Sequence, residues 1–435
     1  MTNADVEKNA PREALPAAER IISNITAPIP PAPLEYNPPD GGLTAWSQVL
    51  AALLTNAMSW GYASTFGVYQ LYYRESTGLP ASQISWIGSV QVFLTFASCS
   101  VSGRLSDAGY LRSTLAVGGF LSVFGTFMTS LATEYWQTML AQGICTGLGL
   151  GLAFMPAVSV ASSYFKKRQA FALAVTAVGT STGGLIFPST VQYLIPQIGF
   201  AWAVRCAGFV AMAIVLLAIV LQKPCLPPRK SGPWVDISAF KEKPYLLFSL
   251  GAFLNLYGLY FGFFYVNAYA RDVIGFSPVD SVGLLLITNA LGIPARPIVG
   301  WIADHYVGPV NMYIIATVGV AATIFGWIGI TTRTEMYIFS VFLGFSNGTC
   351  QGMFIGALAS LTKDPQKMGT RSGMIFSLCA FATLAGPPTA GAIIDQTGGD
   401  YFWAQVWGGI VFAAGAMALS ASRIAATGWT WRAKI

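Results

Sequence analysis

Charge is what this sequence has least of. Of its 435 residues only 10% are Asp, Glu, Lys or Arg, and 54% are hydrophobic. A soluble chain of this size carries about 25% charge, so the composition identifies a polytopic membrane protein. One histidine, His305, excludes a histidine-built metal site. The six cysteines (Cys99, Cys145, Cys206, Cys225, Cys350, Cys379) form no Cys-x-x-Cys pair. They lie in or near apolar segments and read as small core residues, not disulfides or metal ligands. No GxxxxGK[ST] motif is present, which excludes an ATP-driven pump within the chain. Gly147, Gly149 and Gly151 sit inside an apolar stretch with no preceding strand, so they are not a dinucleotide fingerprint. No cluster of acids, histidines and a nucleophile suggests an enzyme, and no cofactor is expected. The net charge of +6 resides in loops and is not a nucleic-acid signal. A cleavable signal peptide is not expected either. Residues 1–38 are polar and proline-rich, and they read as a disordered tail.

What is present is a series of apolar stretches of about 20 residues, each long enough to cross a bilayer. Twelve are expected, at 46–67, 84–103, 112–132, 137–161, 169–191, 201–221, 246–268, 281–302, 311–331, 336–360, 371–393 and 402–422. The link at 222–245 is the longest and carries a basic run. It divides the chain into halves of six spans, 39–221 and 246–425, with a short tail at 426–435. Basic residues fall on one side. Arg104, Arg112, Lys166, Lys167, Arg168, Lys223, Arg229, Lys230, Lys241, Lys243, Lys363, Lys367 and Arg371 share that side, against Arg74, Arg271 and Arg333 on the other. The positive-inside rule places both termini in the cytoplasm. The expected fold is an all-α membrane protein of twelve helices in two six-helix halves.

The halves echo each other. Gly103 and Asp107 close the second span, and Gly300 and Asp304 close the eighth, 197 residues later in both cases. Related halves of this kind are the layout of secondary transporters, whose site lies between them near the midplane. The run Gly103, Arg104, Leu105, Ser106, Asp107, Ala108, Gly109 resembles the loop motif of the major facilitator superfamily, with Ala108 where a basic residue is common. Pro39-Asp40-Gly41-Gly42 before span one resembles the monocarboxylate-porter branch, particularly its fungal members. So do Tyr164-Phe165-Lys166-Lys167-Arg168 before span five and Gly179, Gly183, Gly184 and Pro188 within it. The resemblance covers about residues 38–425.

Arg296 is the first candidate for chemistry. A charge at mid-span costs about 3 kcal/mol, so it should face protein or a water-filled cavity. Asn289, Gly292, Arg296 and Gly300 share one helix face. The branch resemblance implies that an arginine followed by proline in span eight binds the substrate carboxylate, and Arg296-Pro297 matches. A guanidinium can hold a carboxylate through two parallel hydrogen bonds. The competing reading is a structural latch. Where the animal porters have an aspartate four residues earlier, Gly292 stands, and span one lacks their lysine. No Asp or Glu lies at mid-span, so ion coupling stays open.

Tyr257, Tyr260, Phe264 and Asn267 share a face of span seven that could stack on a flat ligand. Asn56, Trp60 and Ser64 share a face of span one, and Asn347 and Gln351 one of span ten. Each could serve substrate or simply another helix. Gly103, Asp107, Gly300 and Asp304 read as gating and structural residues, because a carboxylate at a helix junction can accept bonds from helix N-termini. The expectation is a secondary transporter of a small organic solute, an organic anion or monocarboxylate-like metabolite, working by alternating access. Its partners would be that small-molecule substrate and the lipid bilayer. The alternative is an efflux carrier for a fungal secondary metabolite, and a non-transporting sensor is a further one. The plasma membrane is the default location, with an endomembrane as the rival.

Overall fold

In a bilayer every backbone N–H and C=O must be satisfied within the chain, and long helices achieve this. The computed structural model describes residues 38–227, 235–362, 364–430 and 434. The expected disordered tail and much of the basic run in the central link lie outside these. Ten helices are long and apolar enough to cross a membrane. One of them, Gln169–Leu221, is two crossings joined at Gly199, whose φ of 78° only glycine adopts without strain. A further crossing is interrupted and so escapes a simple length criterion. It runs through Leu43–Asn56, a π turn at Ala57–Gly61, Tyr62–Ser64 and Phe66–Thr77. Twelve crossings result, and no strand occurs among the described residues.

In chain order, α1 is the interrupted helix and α2 comprises Ala81–Ala97 and Cys99–Asp107. Leu111–Thr129 is α3, and α4 runs from Tyr135 through a π stretch, Met139–Thr146, to Ser163. The two arms of Gln169–Leu221 are α5 and α6. Lys243–Asp272 is α7, and α8 is Pro278–Ile302 continued by a π turn, Ala303–Val307. Then follow α9 (Pro309–Trp327), α10 (Arg333–Leu361), α11 (Met368–Gln396) and α12 (Phe402–Thr427). Several helices overrun their apolar stretches by a turn or more, because polar termini continue the hydrogen-bond ladder past the hydrocarbon.

Lipid tails are as apolar as leucine, so helices here associate by close contact of small residues. On α10, Gly344, Gly348 and Gly352 rise every four residues against Thr288, Gly292 and Arg296 of α8. A Cβ at Gly344 would lie 2.5 Å from the Thr288 carbonyl oxygen, and one at Gly348 would lie 2.7 Å from the Gly292 Cα. The same device recurs 197 residues earlier, where Gly147 and Gly151 of α4 meet Gln91 and Thr95 of α2. The echo also continues in α5 and α11. Pro188 and Pro387 stand 199 residues apart, as do Phe171 and Thr370 at the helix starts.

Overfilling a tight contact of this kind costs about 1–3 kcal/mol. Gly348→Leu is therefore expected to lower the melting temperature of the purified protein measurably. An unchanged melting curve would contradict the α8–α10 contact.

Candidate functional site

On the face that carries the basic loops, the two halves are clasped twice. Asp107, at the end of α2, accepts hydrogen bonds from the backbone N–H groups of Gly369 (3.1 Å) and Thr370 (2.7 Å), and from the Thr370 hydroxyl (2.6 Å). Asp304, at the end of α8, accepts from the N–H groups of Ala170 (3.1 Å) and Phe171 (2.8 Å). Each carboxylate thus sits on the N-terminus of a helix from the opposite half, where orphan N–H groups and the helix dipole favour negative charge. Gly103 and Gly300 let the chains approach closely, Gly103 against the Gly369 carbonyl and Gly300 against Phe171 and Ala174. The four residues singled out from the echo therefore form two equivalent junctions between the halves.

Asp40 makes a similar contact within the first half. Its carboxylate accepts from the N–H groups of Lys166 (2.5 Å) and Lys167 (2.7 Å), while its own N–H donates to the Tyr164 carbonyl (3.0 Å). The two segments that carry the porter-like pattern, far apart in sequence, are one structure. A further knot lies at the start of α11. Arg371 pairs with Glu242 and, at 3.8 Å, with Asp236, which also binds Lys367 at 3.2 Å. Burial would raise the Asp236 carboxyl. The Ser238 hydroxyl, Lys367 and Arg371 together outweigh it and hold the group below the usual carboxylate range.

Arg296 lies at the middle of the bundle, 2% exposed, on the surface where α8 meets α5. One terminal nitrogen donates to the Ser181 hydroxyl of α5 and, at 3.2 Å, to the Gly292 carbonyl. The other donates to Gln351 Oε1 of α10 at 3.1 Å. Its Nε has no partner, and none of the ion pairs among the described residues involves Arg296. Gly292 and Gly352 make the space. A Cβ on Gly292 would lie 2.8 Å from the guanidinium, and one on Gly352 would lie 2.9 Å from the arginine stem. Gly292 is thus what lets the arginine fold back over its own helix.

The other candidates divide. Asn289 lies against Gly184 of α5, near Ser64 of α1, two turns from Arg296, and its amide nitrogen bonds back to the Leu285 carbonyl. Asn347, one turn from Gln351, is buried with an unpartnered Oδ1. Asn56 packs on Gly179 of α5 and bonds its own helix at Ala52. Tyr257 points at α11 and α12, with its hydroxyl on Thr389 at 2.9 Å and its ring 5.2 Å from that of Trp407. Tyr260 is partly buried, and Asn267 Oδ1 is buried without a partner. The side chain of Phe264 lies outside the described residues. Composition and spacing gave no sign of the aromatic cluster that surrounds Trp60. Trp60 of α1 meets Phe96 of α2 at 4.5 Å, Phe154 of α4 at 5.1 Å and Phe376 of α11 at 6.0 Å.

Twelve helices in two halves, clasped on one face around a buried unpaired cation, define a polytopic membrane transporter. A family model of the Major Facilitator Superfamily matches residues 49–387. The chain belongs to that superfamily and is a transporter, not an enzyme. It is 39% identical over 414 residues to an MFS-type transporter of Gibberella zeae, covering 95% of this chain and 92% of the relative. It is 37% identical to the aspyridones efflux protein apdF of Emericella nidulans, covering 92% and 82%. Among solved structures it resembles the human organic anion transporter MFSD10 (TM-score 0.67, 15% identity, 86% of this chain and 98% of that one). It also resembles FucP in the outward conformation (TM-score 0.66, 16% identity, 86% and 99%). At these identities the structures speak for the fold alone.

Asp107→Ala should loosen the α2–α11 clasp. Alkylation of the buried Cys99 and Cys379 by N-ethylmaleimide, read by mass spectrometry, is then expected to quicken several-fold; unchanged rates would contradict the clasp. The lowered carboxyl of Asp236 contributes stability that is present above the usual aspartate value of about 3.9. That stability is lost as pH falls through the lowered value. Asp236→Asn should therefore flatten the acid limb of the melting-temperature profile relative to wild type.

Proposed function

We propose that this transporter moves an organic anion by alternating access, and that in its host it exports a metabolite. The observation that carries the anion is Arg296, a full positive charge buried between the halves with only neutral oxygens for company. A carboxylate arriving at this guanidinium would supply the missing counter-charge and satisfy its free Nε. The names of relatives, an aspyridones efflux protein among them, support export of a secondary metabolite. The Asp40 contact with the Lys166–Lys167 turn supports a place in the monocarboxylate-porter branch. The halves 39–221 and 246–425 would rock against each other, releasing the Asp107 and Asp304 clasps as the basic face opens. By the positive-inside rule that face is cytoplasmic, and the plasma membrane is the location that export requires. With no acid at mid-span, the anion's own charge and gradient supply the driving force.

The test is flux through proteoliposomes, with a panel of small monocarboxylates, dicarboxylates and aromatic polyketide acids, run with and without a pH gradient. Arg296→Ala is expected to cut anion flux at least about tenfold, the loss of one charge-assisted contact, while the protein remains monodisperse. Arg296→Lys should retain part of it. Normal flux in Arg296→Ala would reduce the residue to a latch and overturn the reading.

A further inference from the structure

The two junctions between the halves are related by the internal repeat, yet they are furnished oppositely. On one side Ser181 of α5, Arg296 of α8 and Gln351 of α10 form a polar group. Their counterparts on the other side, 197 residues earlier in α2 and α4 and 199 later in α11, are Cys99, Phe154 and Ala380. That side is apolar and aromatic. Phe376 reaches across from α11 to Phe154 at 5.3 Å and to Trp60, and Phe354 of α10 closes on it at 4.9 Å. Phe96, Phe154, Phe354 and Phe376 are all buried, and only Trp60 is partly exposed.

The Trp60 ring has α2, α4 and α11 around it, and its neighbours in sequence are held inside the bundle. Ser59 donates to the Leu150 carbonyl of α4, and Gly61 packs against Gly183 and Gly184 of α5. Helices of both halves, α2 and α4 from one and α11 from the other, therefore border the indole. Gly183 and Gly184 lie within one turn of Ser181, the residue that holds Arg296 from the opposite half. The π turn Ala57–Gly61 inserts an extra residue into the helix at this point, so Trp60 is aimed independently of the regular face that Asn56 would otherwise share with it.

We propose that Trp60 is a specificity-determining residue. Its exposed face stacks on a flat, conjugated ring system whose anionic end lies toward Arg296, so the substrate class is the aromatic organic anion and not the short aliphatic monocarboxylate. The inference rests on the anion reading of Arg296, and it adds a second, independent contact. Three buried aromatic rings, Phe96, Phe154 and Phe376, brace the indole, which lets it act as a rigid plate that loses little entropy on binding.

The experiment uses the full-length protein in lipid nanodiscs and two probes of the same charge and similar size, 2-naphthoate and decahydro-2-naphthoate. Dissociation constants are measured by calorimetry for wild type, Trp60→Phe, Trp60→Leu and Arg296→Gln. Stacking of a ring pair predicts that wild type prefers the aromatic acid by about five- to tenfold. Trp60→Leu should abolish that preference while leaving the saturated acid's affinity within about twofold, and Trp60→Phe should restore much of it. Equal weakening of both probes in Trp60→Leu would mean that the residue only packs, and would overturn the proposal. So would the absence of any aromatic preference, or of binding, in wild type. Arg296→Gln separates the two readings. If it leaves both affinities intact while the Trp60 effect persists, the anion reading fails and the stacking assignment stands. If it weakens both probes while Trp60→Leu changes nothing, the reverse holds.

Discussion

A guanidinium in the middle of an apolar bundle with no carboxylate beside it is the constraint around which this protein is arranged. Burying such a charge is costly, and the cost is tolerable only where every available donor finds an acceptor or where a ligand completes the set. Ser181, the Gly292 carbonyl and Gln351 supply three neutral acceptors. They come from α5, α8 itself and α10, so the position of one side chain ties three helices and both halves together. The helices can come this close because Gly292, Gly348 and Gly352 remove the side chains that would hold them apart. Packing and charge are one problem here: the glycine ladder makes the contact, and the contact leaves room for the guanidinium.

The clasps on the basic face follow a related logic. Asp107 and Asp304 place negative charge where a helix start exposes N–H groups, so each junction between halves includes charge-assisted bonds to backbone. Bonds to backbone do not depend on which side chains the partner helix carries. The device can therefore be repeated 197 residues apart even though the surrounding residues have diverged. Asp40 uses the same chemistry on the Lys166–Lys167 turn.

Duplication supplies the frame, and departure from it supplies the site. Cys99 and Arg296 occupy equivalent places, as do Met155 and Gly352, and Phe154 and Gln351. Arginine fits on one side because glycine stands opposite it, and methionine fills the corresponding space on the other. The result is a bundle interior that is polar along one seam and aromatic along the other.

The sequence by itself determined the membrane class, the twelve crossings, the repeated halves and the need of Arg296 for polar partners. Each of these is written in one dimension: hydrophobic length matches bilayer thickness, a fixed offset reveals duplication, and a charge inside an apolar run is costly wherever it ends up. Helical periodicity also put Asn289, Gly292 and Arg296 on a common face. It could not say what that face meets. Only the tertiary structure decided that Ser181 and Gln351 receive the guanidinium, that Tyr257 is turned toward α11 and α12, and that Asp40 rests on the turn before α5. Those partners lie tens to hundreds of residues away, and which helix is a neighbour is settled by how closely small residues let backbones approach. Trp60 was the least legible. Among 12 tryptophans, 18 tyrosines and 28 phenylalanines, nothing local picks out the rings of Trp60, Phe96, Phe154 and Phe376 as the ones that meet.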